Sequence, residues 1–123
     1  MKLEISSFAN GATIPFKYAF CKPADEGHVT FAENLNPHLK WGDAPEGTKS
    51  YAIILHDDKV PSKPDDVNQE GREVPEDLPR IDFYHWVLVD IPLAITEIRE
   101  GEVSKGVTAR GKEPGISKFG VNL

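Results

Sequence analysis

Tyr51-Ala52-Ile53-Ile54-Leu55-His56-Asp57-Asp58-Lys59-Val60-Pro61 is the stretch from which the fold is read. A nearly unbroken apolar run, Tyr51 to Leu55, stops abruptly at His56, Asp57 and Asp58. Such a run, bounded by turn signals, fits a strand buried on both faces and is too short for a typical helix. A second run, His85-Trp86-Val87-Leu88-Val89-Asp90, closes at Ile91-Pro92 and reads as another strand. Paired antiparallel, the end of the first lies beside the start of the second, which brings Asp57 towards His85 across the long segment between them. On spacing alone, charges at strand ends that merely face water account for this pair at least as well as a site does.

Outward from this stretch the chain keeps a cadence of short apolar segments separated by Pro and Gly, which predicts an all-β or mostly β domain. Leu3 and Ile5 alternate with polar neighbours as in a half-buried strand, and Asn10-Gly11 is a turn dipeptide. Phe16, Tyr18 and Phe20 alternate in the same way and predict a strand after Ile14-Pro15. Leu35, Pro37, Leu39 and Trp41 are expected on one face with Asn36, His38 and Lys40 opposite, and Pro37 places this segment on an edge. Gly42 to Gly47 is a turn by composition. Leu93 to Ile98 fits either a short strand or a single helical turn. The polar stretch 62–80 carries Pro64, Gly71, Pro75 and Pro79 among many charges and reads as a long loop insertion, functional or partly mobile.

The 123 residues form one domain, 1–123, with a core of its own. Twenty acidic residues against 14 basic ones give a formal charge of −6, which argues against a general role on nucleic acid or an anionic membrane. No segment approaches the roughly 18 apolar residues of a membrane span, so no integral membrane segment is expected. Met1-Lys2-Leu3-Glu4-Ile5-Ser6 lacks the apolar core of an export signal, and the single Cys21 forms no internal disulfide; both suit a reducing cytoplasm.

Several motifs resemble chemistry and fail on inspection. Gly106-Val107-Thr108-Ala109-Arg110-Gly111-Lys112-Glu113 imitates a phosphate-cradling loop, but Glu113 stands where a magnesium-binding hydroxyl is required, and Pro114-Gly115 break the helix that should follow. Asp66, Asn68, Glu70, Gly71 and Asp77 fall on calcium-loop spacing, yet Asp77 replaces the bidentate glutamate and no amphipathic helix flanks them. Zinc is disfavoured because His28, His38, His56 and His85 are scattered. There is no Gly-x-Ser-x-Gly elbow, no serine stands beside a histidine in sequence, and Cys21 reads as a packed or exposed thiol. No metal and no cofactor is expected.

Asn36-Pro37-His38-Leu39-Lys40-Trp41, Ala44-Pro45-Glu46-Gly47-Thr48-Lys49-Ser50-Tyr51, Leu55-His56-Asp57 with Pro61, and Tyr84-His85-Trp86-Val87-Leu88-Val89 with Ile91-Pro92 occur in an order that resembles the phosphatidylethanolamine-binding protein family, and within it the bacterial Raf kinase inhibitor-like branch. The likeness runs from about Leu35 to Pro92. It implies a β-sandwich around a large antiparallel sheet with short helical segments, and a small pocket for anionic groups such as phosphate or a phospholipid headgroup. Asp57 then matches the pocket aspartate, His85 the pocket histidine, and Phe83 an aromatic lining the entrance. Lys59 departs from the pattern, which has a second aspartate there, and the 62–80 loop is longer than in many relatives. The resemblance also implies a Pro-rich loop and a His-Arg-Tyr strand completing the pocket, and the sequence stops at Leu123 before either; a sheet short of a strand invites pairing with another chain, as in a homodimer.

The expected function is therefore a binding module for small anionic or phosphorylated ligands, using Asp57, His85 and Phe83. A regulatory inhibitor of a kinase or protease, acting through the acidic 62–80 surface, is the alternative class that the eukaryotic relatives imply. A hydrolase with His85 as general base beside Asp57 ranks last, because no nucleophile or metal accompanies the pair.

Overall fold

Two long strands carry the computed structural model, which describes residues 1–111 and 113–123. In chain order the strands are β1 (Lys2–Ile5), β2 (Cys21–Pro23), β3 (Val29–Phe31), β4 (Leu39–Gly42), β5 (Ser50–Pro61), β6 (Arg80–Pro92), β7 (Glu97–Ile98), β8 (Gly115–Ser117) and β9 (Gly120–Asn122). They form a three-stranded sheet ordered β1-β4-β7, a β2-β3 hairpin, and a four-stranded sheet ordered β5-β6-β9-β8. Every pairing is antiparallel, so the mostly β architecture expected from the sequence is the one observed.

The core lies where the larger two sheets meet. Leu39 and Trp41 of β4, Ile98 of β7, Leu88 and Ile91 of β6, and Phe119 are buried together, with Tyr51, Ile53, Trp86, Ile95 and Val103 packed against them. Leu39 and Trp41 are buried and Lys40 between them is exposed, the period-two pattern of a strand with one covered face. The expectation that Tyr51–Leu55 is buried on both faces is corrected: Ile54 and Leu55 are 59% and 48% exposed. The core reaches only as far as Tyr51 and Ile53, and the strand runs on past it to Pro61.

Three other expectations change. Leu3 and Ile5 do form a strand, but all of β1 is exposed. Phe16–Tyr18 is a 3₁₀ turn instead of a strand, because Pro15 accepts the Tyr18 amide at 3.0 Å and Phe16 accepts the Ala19 amide at 3.0 Å. The turn lets adjacent residues point the same way: Lys17 and Tyr18 both donate to the Glu100 carboxylate. Pro37 lies just before β4, which is the central strand of its sheet and not an edge. The remaining polar connections behave as their composition predicts. Asn10-Gly11 turns, with the Ala12 amide on the Ala9 carbonyl at 3.1 Å, and Thr48 closes the Gly42–Gly47 turn through its amide and hydroxyl on the Pro45 carbonyl. Leu93-Ala94 is a turn leading into β7, and the 62–80 loop is closed at its base by the Ser62 amide donating to the Pro79 carbonyl at 3.0 Å. The phosphate-loop imitation is irregular chain, and its Lys112 lies outside the described residues.

Asn36 is the buried polar centre of the fold. Its Nδ2 donates to the carbonyls of Pro37 and Arg99, both at 2.9 Å, and its Oδ1 accepts the amides of Val103 at 2.9 Å and Ser104 at 3.0 Å. The segment that Asn36 holds also carries three glutamates that tie it to distant parts of the chain. Glu97 accepts from His38, Glu100 from Tyr18 and Lys17, and Glu102 from the Arg99 amide and Lys118. These hydrogen bonds hold all three carboxyls below their ordinary value of 4.5. A carboxyl whose folded value is depressed stabilises the fold above the unfolded value, and that contribution is lost as pH falls through the lower, folded one. The urea midpoint is therefore expected to hold level down to about pH 5 and to drop below it, less steeply in a Glu97→Gln, Glu100→Gln, Glu102→Gln triple variant.

Candidate functional site

The β5–β6 ladder is not a uniform ribbon. It pairs Tyr51 with Ile91, Ile53 with Leu88, Leu55 with Trp86, His56 with Tyr84, Asp57 with Phe83 and Val60 with Ile81. Between Ile53 and Leu88 on one side and Tyr51 and Ile91 on the other, β6 carries one residue more than β5, and Asp90 there has φ 54°. The extra residue puts both Leu88 and Ile91 in the core.

A second extra residue in β6 falls between Trp86 and Tyr84, and a third irregularity, this time in β5, lies between Asp57 and Val60. Their effect is to set the site. Strict alternation from the core residue Trp86 would send His85 and Phe83 to the outer face, whereas counting by twos along β5 from Ile53 leaves Asp57 on the core side. The bulge moves Phe83 and His85 to the side of Asp57. Redirection of a side chain is a common use of such bulges.

His85 Nε2 stands 3.9 Å from Asp57 Oδ2, and the Phe83 ring meets the His85 ring edge-on with centroids 4.8 Å apart. The three residues proposed from sequence are thus brought together. Asp57 Oδ1 is already occupied, accepting the Lys59 amide at 2.8 Å, which fixes the carboxylate across the β5 bulge. At 3.9 Å the second oxygen is in Coulombic contact with the imidazole but beyond hydrogen-bond length, so Asp57 does not consume the ring N–H. Both side chains are about half exposed, so the group forms an open platform. A cavity of about 460 Å³ lies elsewhere, between Glu33, Leu35, Glu100, Gly101, Lys105 and Gly106. Lys59, which stands where an aspartate is expected, pairs with Asp58 at 3.1 Å, so its charge is matched by its own neighbour.

Two polar groups were not legible in the sequence. On the opposite face of the same ribbon, His56 stacks on Tyr84 with ring centroids 5.2 Å apart and contacts Asp82 at 3.0 Å. On the other sheet, His38 joins Ser6 and Glu97, which are 32 and 59 positions away. The alternation of His56 with Asp57 was the only available signal for the first; nothing local marks the second. Among the described residues no group of three or more His, Cys, Asp or Glu is placed to hold a metal ion, and no helix is long and apolar enough to cross a membrane.

The structure is thus an antiparallel β domain with an aspartate, a histidine and an aromatic gathered on its longest strand pair. Residues 4–121 match the family described as phosphatidylethanolamine-binding protein, and the chain belongs to that family. It is 32% identical over 120 residues to a UPF0098 protein of Aquifex aeolicus, covering 98% of this chain and 53% of that protein. It is 28% identical over 101 residues to the UPF0098 protein YbhB of Escherichia coli, covering 82% of this chain and 50% of YbhB. A UPF0098 protein of Methanothermobacter thermautotrophicus is 27% identical over 120 residues, 98% of this chain and 61% of its own length. The chain spans about half the length of the first two of these curated relatives. No solved structure matches it significantly.

Proposed function

We propose that the Asp57–His85–Phe83 platform binds the phosphoryl group of a small anionic ligand, either inorganic phosphate or a phospholipid headgroup. The observation that carries this reading is the bulged register, which places His85 3.9 Å from Asp57 and leaves its ring N–H uncommitted. A carboxylate alone repels phosphate. Asp57 acts through its neighbour, lying in Coulombic contact with the imidazole whose N–H donates to the anion. Phe83 packs edge-on against the imidazole and limits its rotation. Membership of a family described by a phospholipid it binds supports the choice of ligand class.

The test is a titration of phosphate and of phosphoethanolamine into wild type and His85→Ala, read by NMR shifts of the His85 and Phe83 ring protons and by calorimetry. A charge-assisted hydrogen bond of about 1.5–3 kcal/mol corresponds to roughly a 10- to 100-fold loss of affinity in the variant. Equal affinity for the two proteins would remove His85 from the site.

A further inference from the structure

We propose that Ser6 is a nucleophile activated by His38 and Glu97, able to accept an acyl or phosphonyl group from an activated donor. The three residues come from three neighbouring strands: Ser6 directly follows β1, His38 directly precedes β4, and Glu97 opens β7, in a sheet ordered β1-β4-β7. Ser6 Oγ lies 2.5 Å from His38 Nδ1, and His38 Nε2 lies 2.7 Å from Glu97 Oε1. The His38 amide donates to Ser7 Oγ at 2.8 Å, which locks the backbone that carries the ring against the residue after Ser6.

The proton positions follow from the chemistry of the three groups. Glu97 is held ionised by its hydrogen bond from His38, with Arg99 and Lys40 nearby, so it only accepts and Nε2 must carry a hydrogen. In the neutral ring Nδ1 then has the lone pair, and the Ser6 hydroxyl donates to it. This is a hydroxyl on a base that is itself oriented by a third group, the arrangement that activates a serine. The acid and the serine contact opposite ring nitrogens from those they use in serine proteases; a relay of roles is what the chemistry needs. The charged groups around it are Lys2 and Glu4 on β1, Lys40 on β4, and Arg99 just after β7. Glu4 is paired with Lys2 at 2.7 Å, so the strand beside Ser6 presents no free carboxylate to the attacking oxygen.

With an aryl ester, Ser6 Oγ forms a bond to the carbonyl carbon while its proton passes to His38 Nδ1. The bond from the carbonyl carbon to the aryloxy oxygen breaks, the phenolate leaves and takes up that proton, and water, giving a proton to the freed His38 Nδ1, then hydrolyses the acyl-serine to the carboxylic acid and free Ser6. With a fluorophosphonate the O–P bond forms, the P–F bond breaks and HF is released. Ser6 is exposed, so the hydroxyl is open to both donors. This inference stands apart from the anion platform, since it uses none of its residues.

The same hydrogen bonds would exist if they only stapled β1 to its neighbours, and the experiment separates the two roles. The protein is incubated with a fluorophosphonate, the adduct is located by peptide mass mapping, and 4-nitrophenolate release from 4-nitrophenyl acetate is followed in parallel. A general base contributes about 10²-fold or more, so the Ser6 adduct should form about 10²-fold faster than adducts on other exposed serines. The rate should fall on acidification, as His38 loses the lone pair that accepts the proton. Glu97→Gln, which keeps a hydrogen-bonding group, should slow labelling about 10-fold under conditions where the variant is still fully folded by its unfolding curve. A Ser6→Cys variant should be alkylated by iodoacetamide faster at position 6 than at Cys21. Labelling spread evenly over surface serines, or a Ser6 rate indifferent to pH and to Glu97→Gln, overturns the proposal.

Discussion

Replacing Gly120 with alanine is expected to destabilise the domain by about 4 kcal/mol or more, at the upper end for a single substitution. Gly120 has φ 122°, a backbone conformation that L side chains rarely adopt, and this alone costs about 1–3 kcal/mol. A Cβ there would also sit 2.2 Å from the Val89 carbonyl oxygen, 3.1 Å from the Ile91 amide nitrogen and 3.2 Å from the Asp90 carbonyl carbon. All three are backbone atoms of β6 at the Asp90 bulge, so nothing can swing aside. Relief requires β9 to lift away from β6, which would break the Leu88–Asn122 and Val89–Val121 pairs and the bond from Trp86 Nε1 to Asn122 Oδ1. Urea unfolding followed by tryptophan fluorescence measures the loss directly. A change below about 1 kcal/mol would mean that β9 does not pack on β6 as described.

Asn36→Ala is expected to cost about 3 kcal/mol, and Asn36→Asp at least as much at neutral pH. Alanine removes both donors and the acceptor at once. Aspartate keeps an acceptor for the Val103 and Ser104 amides but points a carboxylate oxygen at the Pro37 and Arg99 carbonyls, where the native residue presents N–H. The second variant therefore separates loss of hydrogen bonds from burial of an uncompensated charge. Acidification should partly rescue Asn36→Asp, because the protonated acid recovers one donor. Either variant unfolding within about 0.5 kcal/mol of wild type at neutral pH would show that the carboxamide is not the organising group.

The strand pair was legible because the physics is local, with apolar runs punctuated by His-Asp-Asp and Ile-Pro, but its limits were not: the strands extend from Ser50 to Pro61 and from Arg80 to Pro92, well past the apolar runs. The side on which Phe83 and His85 stand was not. It depends on one extra residue in β6, and a shift of one residue reverses every facing. Asn36 was read as outward-facing beside His38 and Lys40, since alternation with Leu35 and Leu39 is all that its neighbours reveal. Its burial depends on partners in residues 99–104, which only the folded chain supplies. The 3₁₀ turn at Phe16–Tyr18 was hidden in the same manner, behind an aromatic alternation that Glu100 overrides by attracting two consecutive side chains.

The Ser62–Pro79 hydrogen bond has a practical corollary for how such a domain diversifies. By cinching the neck of the excursion, it closes the strand ends whatever length of chain is threaded above, while Glu70 farther out reaches across to His28 at 2.9 Å. A peptide epitope grafted beyond that neck in place of residues other than Glu70 would then be displayed from a fixed base.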